Sequence, residues 1–148
     1  MAETMALSKI LHVREQEKND AHKAYRNSME LFEKIATKLY TLLRKKEAAE
    51  ESYESYLQQT TPIDQLKEQV RYIEILNKQI VTLQHSVQQA RREMETKQEK
   101  LTSAHVEVKK FEKIIELRQK EQAEIILKQE KQSMDEISIQ QFLSRKNG

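Results

Sequence analysis

Cysteine and tryptophan are absent from this 148-residue chain, and glycine and proline occur once each. Each absence removes a class of chemistry. The one glycine is Gly148, so no Walker loop or dinucleotide fingerprint can form, because both need internal glycines to bring backbone amides close to phosphate. Without cysteine there is no disulfide frame, no thiolate nucleophile and no Cys-ligated zinc, which fits a reducing compartment. Long apolar runs are missing too. The longest have three residues, as at Ile125 to Leu127, far short of a bilayer span. The opening MAETMALSKILHVRE lacks the apolar core of a secretory signal. Charge of one sign is also lacking. With 26 basic and 24 acidic side chains the formal net charge is +2, too balanced to draw nucleic acid or anionic lipid.

What is present is a surplus of helix formers, with 34% of residues charged and 37% hydrophobic. A globular fold of this length needs turns built from Gly, Pro, Asn and Asp. This composition instead marks long helices or a coiled coil. One break divides the chain, at Gln58-Gln59-Thr60-Thr61-Pro62-Ile63-Asp64. Proline disfavours helical geometry in the residue before it and suits the first position of a new helix. Thr61 is then the expected N-cap, with Asp64 in the place of a capping-box acid. The predicted organisation is a single coiled-coil domain over residues 1–148. It has a first helix over about 8–58, a turn at 59–61, a second helix over about 62–132, and a tail or short restarted helix over 133–148. Ser133 and Glu136 have capping-box spacing for that restart. At about 1.5 Å per residue the helices would be on the order of 75 and 105 Å long.

The seams are explicit. Alternating steps of three and four in the first helix give Leu7, Leu11, Arg14, Lys18, Ala21, Tyr25, Ser28, Phe32, Ile35, Leu39, Leu42, Lys46, Ala49, Tyr53 and Tyr56. The stretch around Arg14 and Lys18 is weak, whereas Phe32 to Leu42 is fully apolar. In the second helix a seven-residue ladder runs Leu66, Ile73, Ile80, Val87, Met94, Leu101, Val108, Ile115, with companions Leu76, Leu83, Ala90, Lys97, Ala104, Phe111 and Arg118. Such a ladder specifies a left-handed coiled-coil seam. An extended helix in a parallel dimer is the rival arrangement, but Thr61-Pro62 would interrupt its seam. The predicted fold is therefore all-α: two long helices forming an antiparallel coiled-coil hairpin, the second longer than the first. Facing residue numbers should add to about 120 with the turn near residue 60, leaving residues beyond about 117 without an intramolecular partner.

Catalytic constellations are not apparent. The histidines His12, His22, His85 and His105 lack the spacings that put two metal ligands on one helix face. Carboxylate pairs such as Glu50-Glu51 have no water-excluding cleft to tune them for acid–base work. No cofactor is therefore expected. The basic runs Arg44-Lys45-Lys46 and Lys109-Lys110 are interleaved with Glu47, Glu107 and Glu112, so no acid-poor stripe exists to grip nucleic acid. No helix opposes a broad apolar face to a basic one, which argues against lying on a membrane.

Apolar residues that leave the seam are more informative. Tyr40 and Leu43 flank the first seam near the tip, and Tyr72 and Ile75 flank the second. Ile114, Leu117, Ile126 and Leu127 form another set near the open end. Exposed apolar patches commonly mark partner sites. The alternatives are a locally broadened seam or a contact between copies.

Three stretches resemble the FliJ family of the bacterial flagellar type III export apparatus. The opening Leu7-Ser8-Lys9-Ile10-Leu11-His12-Val13-Arg14-Glu15-Gln16-Glu17 matches the family's N-terminal leucine–charge pattern. The segment Val106-Glu107-Val108-Lys109-Lys110-Phe111-Glu112-Lys113 is similar to Bacillus-type members. So is the ending Met134-Asp135-Glu136-Ile137-Ser138-Ile139-Gln140-Gln141-Phe142, the most specific of the three. The resemblance covers essentially the whole length.

It implies a non-enzymatic protein similar to the central stalk of rotary ATPases. Such a protein inserts into the flagellar export ATPase ring, contacts the export-gate membrane protein and escorts export chaperones. It implies a cytoplasmic protein, peripherally associated with the inner face of the cell membrane at the flagellar base, that serves flagellum biogenesis. The family's gate contact is an aromatic and a leucine four apart just after the hairpin turn, matched here by Tyr72 and Leu76. Tyr40, Leu43 and Ile75 lie near the same tip. Gln79 and Leu83 depart from the small residue and histidine of enterobacterial members. The ring contact carries over to Ile10, Arg14, Phe111, Ile114 and Leu117 at the open end. Without the resemblance, the runner-up functions are a prefoldin-like coiled-coil chaperone and a structural spacer that dimerises through its second helix.

Overall fold

A chain of Ala, Leu, Glu, Lys and Gln stays helical until something forces a turn. The computed structural model describes residues 2–147. It contains two helices, α1 over Ala2–Leu57 and α2 over Ile63–Asn147. They form an antiparallel coiled-coil hairpin, with 85 residues in α2 against 56 in α1. No strand occurs among the described residues.

The turn is made without any left-handed residue, since positive φ is absent among the described residues. Its capping differs from the sequence expectation by one position. The Pro62 carbonyl accepts the Leu66 amide at 3.3 Å, so Pro62 is the half-in residue and Ile63 the first helical one. Thr61 faces the other way. Its hydroxyl donates to the Tyr56 carbonyl at 2.8 Å, satisfying one of the acceptors that the end of α1 leaves open. The residue expected to begin α2 therefore closes α1.

Both outer ends also run further than the sequence suggested. α1 starts at Ala2 rather than near Ser8. Ala2 to Leu7 contains no helix breaker, and Glu3 in the first turn suits the positive end of the helix dipole. α2 passes through Ser133 without a break, so the tail or restarted helix over 133–148 is replaced by continuous helix to Asn147. The reason is energetic. A serine inside a helix costs only a few tenths of a kcal/mol, and capping-box residues act only where something else ends the helix.

Contacts divide the chain into two compact units, Asn19–Thr102 and Met1–Lys18 with Ser103–Gly148. In the first, Ala49, Leu76, Ile80 and Ala90 are buried. The two alanines bring backbones close, and the Gln69 side-chain amide donates across the pair to the Ala49 carbonyl at 3.2 Å. Leu42 and Leu83, from opposite helices, line one groove. In the second unit Val108 is the buried side chain. There Arg118 meets Glu3 at 3.3 Å, and the Arg14 guanidinium lies 5.8 Å from the Phe111 ring centre. All these pairs obey the same register, with numbers adding to about 120 as an antiparallel turn near residue 60 requires.

Every seam position from Leu7 to Tyr56 is at least half-buried, and so is the whole ladder from Leu66 to Ile115. The seven-residue period of the sequence thus becomes the buried stripe of the fold. Beyond Gln122 the stripe ends. Residues 123–146 of α2 are all exposed, lying past the level at which Glu3 meets Arg118.

Candidate interaction surfaces

A two-helix coil has no interior to enclose a substrate, so its usable features are flanks and ends. Four side chains were expected to gather near the tip, and helical geometry sorts them onto two sides. Leu43 follows the seam residue Leu42, whereas Tyr72 precedes the seam residue Ile73. In an antiparallel pair, positions that follow the seam on both helices share one side, and positions that precede it share the other. Tyr40 and Leu43 therefore lie on the side that carries Val70, Asn77 and Val81. Tyr72 and Ile75 lie on the opposite side, with Lys38, Thr41, Gln79 and Thr82. The grooves agree with this sorting. One joins Thr37, Lys38, Thr41, Leu42 and Leu83, another joins Leu42, Lys78, Gln79, Thr82 and Leu83, and Val70 shares a separate one with Tyr53 and Ile63.

Burial separates the sequence-derived candidates further. Tyr72 is 44% exposed and Ile75 is open to solvent, but Leu76 is only 3% exposed and lies inside the seam. Leu76 thus props the Tyr72 face from within and offers a partner no surface. Gln79 is exposed, whereas Leu83 is half-buried. On the other side Tyr40 is 61% exposed, with the Arg44 guanidinium 5.9 Å from its ring centre. Such a cation–π pair fixes the ring's position while leaving a face free. Val81, beside the Tyr40 side of the coil, was not singled out by the sequence. As a β-branched residue one step past the ladder, it gave no signal apart from breaking the polar pattern.

At the open end the five expected residues also divide. Ile10 and Leu117 are exposed, whereas Arg14, Phe111 and Ile114 are half-buried. Arg14 is held by Glu17 at 3.0 Å and by the Phe111 ring. Next to them an open groove of about 770 Å³ is lined by Thr4, Met5, Ser8, Lys9, His12, Val13, Gln119 and Gln122. Met5 and Val13 are its apolar side chains.

Ile126 and Leu127 belong to a larger set that sequence periodicity could not organise. Ile125, Ile126, Leu127, Met134, Ile137, Ile139, Phe142 and Leu143 are all exposed on the bare part of α2. At about 100° per residue, Ile125, Ile139 and Leu143 share one side, Leu127 and Met134 the opposite one, and Ile126, Ile137 and Phe142 fill the angles between. Apolar side chains thus leave the bare helix in every direction, interspersed with charged ones such as Lys128, Lys131 and Glu136.

The charged runs are engaged locally. Lys46 pairs with Glu50 at 3.9 Å, Lys109 with Glu112 at 3.3 Å and Lys113 with Glu116 at 3.8 Å, all within one turn of helix. The His12 ring lies beside Gln16 and the His22 ring beside Arg26. No group of three His, Asp or Glu side chains that could hold a metal ion occurs among the described residues. Among them no helix is long and apolar enough to cross a membrane.

Comparison with known proteins accords with this architecture. A family model described as "Flagellar FliJ protein" matches residues 3–147. The "Flagellar FliJ protein" of Bacillus subtilis (strain 168) is 35% identical over 143 residues, covering 97% of each chain. No solved structure matches. With family pattern and relative both spanning nearly its full length, the chain belongs to the flagellar FliJ family.

Proposed function

We propose that this protein is a non-enzymatic coiled-coil component of the bacterial flagellar protein export apparatus, coupling the export ATPase ring to the export gate and to delivery of chaperone-bound substrates. It works in the cytoplasm, associated peripherally with the inner face of the cell membrane at the flagellar base. The observation that carries the reading is the bare stretch of α2. A helix whose apolar residues all lie on one side seeks one neighbour, whereas one that carries them on every side among charged residues covers them best when contacted from several sides. A partner that encircles the helix, such as an ATPase ring, meets that requirement better than a single docking helix. Ile10, Leu117 and the groove between Met5 and Gln122 would then lie at the mouth of the ring.

The gate contact is assigned to the Tyr72 and Ile75 side of the coil, with Leu76 holding that side in shape. An exposed aromatic beside a branched aliphatic residue is the anchor that a weak, reversible contact uses. The two contacts should fail separately. Ile126→Glu with Ile137→Glu should abolish binding to the purified export ATPase, because each charge would have to be desolvated without a partner. Gate binding should survive. Tyr72→Ala with Ile75→Ala should do the reverse. Loss of both bindings in either helical variant, or of neither in both, would refute the coupling role.

A further inference from the structure

Seam quality is unequal along α1. Residues 2–18 place Thr4, Leu7, Leu11, Arg14 and Lys18 against α2, so only two of these five seam positions are apolar. In the other unit, Phe32, Ile35, Leu39 and Leu42 follow one another without a polar residue.

Two further observations weaken the same segment. The Thr4 hydroxyl and the Arg14 Nε are buried without a hydrogen-bond partner, so docking residues 2–18 forfeits hydration that nothing replaces. The fasteners across to α2 are the Glu3–Arg118 pair and the Arg14–Phe111 stack. Glu3 and Arg118 are both about half in solvent, where an ion pair contributes little. Against this segment α2 offers Val108, which is 3% exposed when covered, together with half-buried Phe111 and Ile115.

We infer that residues 2–18 of α1 are a detachable strap, which opens as a unit while residues 19–102 stay folded and thereby uncovers the Val108, Phe111 and Ile115 strip of α2. Opening extends the apolar surface of the bare helix toward the turn by about three helical turns, which at about 5.4 Å each is a substantial new contact area.

Native-state hydrogen exchange on the full chain, resolved by mass spectrometry of peptides, tests it. Amides in 5–18 should show protection lower by about tenfold or more than those in 35–50, with a step between the two segments. Equal protection along α1 would overturn the inference. So would a loss confined to the first turn, which is ordinary end fraying. A double variant, Arg14→Leu with Lys18→Leu, completes the seam and should raise protection in 5–18 by about tenfold or more, leaving 35–50 unchanged. A rise of equal size in both segments would overturn the inference by showing that opening is global, and an unchanged strap would overturn it too. Leu7→Cys with Ile115→Cys, oxidised, supplies a second variant with the native polar seam; it should slow exchange in the strap alone.

Discussion

Replacing Ile80 and its neighbour Val81 by alanine, one at a time, tests the seam at its centre. Ile80 is 5% exposed and Val81 is 52% exposed, although they are adjacent in sequence. Ile80→Ala removes three carbons from a site almost fully out of water. At about 0.8 kcal/mol per buried carbon the transfer contribution is about 2.4 kcal/mol. A two-helix coil can relax around the gap, so the added cavity contribution is small and the total should stay at about 2–3 kcal/mol. Val81→Ala removes two carbons that are half in solvent, a loss of under about 1 kcal/mol. Alanine is also the better helix former by about half a kcal/mol, which nearly cancels that loss. Urea unfolding followed by far-UV circular dichroism measures both. The midpoint should fall clearly for Ile80→Ala and stay almost fixed for Val81→Ala, with slopes unchanged. Equal midpoints, or a larger fall for Val81→Ala, would show that the ladder is rotated from its assigned face.

Cysteines placed at Leu42 and Ile80 should crosslink within one chain at nanomolar protein, as seen by faster migration of the monomer on a denaturing gel; only dimer-sized products would refute the hairpin. Thr61→Val removes the hydroxyl that meets the Tyr56 carbonyl and should cost about 1 kcal/mol in urea unfolding. An unchanged midpoint would mean that water replaces the bond without loss. Deleting residues 123–148 should leave the unfolding midpoint of the remaining chain nearly unchanged, because residues 123–146 are uncovered. A marked fall would reveal packing that the bare helix does not show.

Much of the fold was legible in the sequence because one simple rule governs it. A seven-residue apolar period predicts which side is buried, and the seam from Leu7 to Tyr56 follows it even at Arg14, Lys18, Ser28 and Lys46. Position in the repeat, not residue type, decides burial there, since long polar side chains lie along the seam and carry their charged ends outward. Helix ends were harder. Thr61 has the right chemistry for either end, and whether it caps α2 or closes α1 depends on which carbonyl is within reach, which local sequence does not encode. Ser133 and Glu136 show the complementary failure: a start signal carries no force where no stop precedes it. The candidate surfaces were legible as a set of residues but not as an arrangement. Tyr40 and Tyr72 both leave the seam near the tip, yet one follows its seam neighbour and the other precedes it, so the coil separates them. Leu76 illustrates the remaining difficulty, because spacing alone does not distinguish a contact residue from the core residue beneath it.

The bare stretch of α2 changes what its residues need to achieve. From Leu66 to Ile115 the ladder and its companions form a stripe covered by α1, with Val70, Tyr72, Ile75, Val81 and Val106 as the exposed apolar residues off it. Past Gln122 the period vanishes while apolar residues persist: Ile125, Ile126, Leu127, Met134, Ile137, Ile139, Phe142 and Leu143 occur within the same α-helix. If this stretch were only a solvated extension, polar residues would serve it better, as they do on the outward side of the coil. If it paired with a second copy along the same seam, Gln122, Gln129, Gln132 and Glu136 would fall in the core, which coiled coils tolerate at isolated positions only. Under the proposed function, enclosure by a partner would cover every side at once and need no register. That distinction has a direct consequence for mutagenesis. Single substitutions to Glu at Ile126, Leu127, Ile139 and Phe142 sample different sides of the helix, and under enclosure each should weaken binding to the encircling partner by a comparable factor. One-sided docking would spare the variants on the far side, and a single strongly impaired side among the four would therefore refute enclosure while leaving partner binding itself intact.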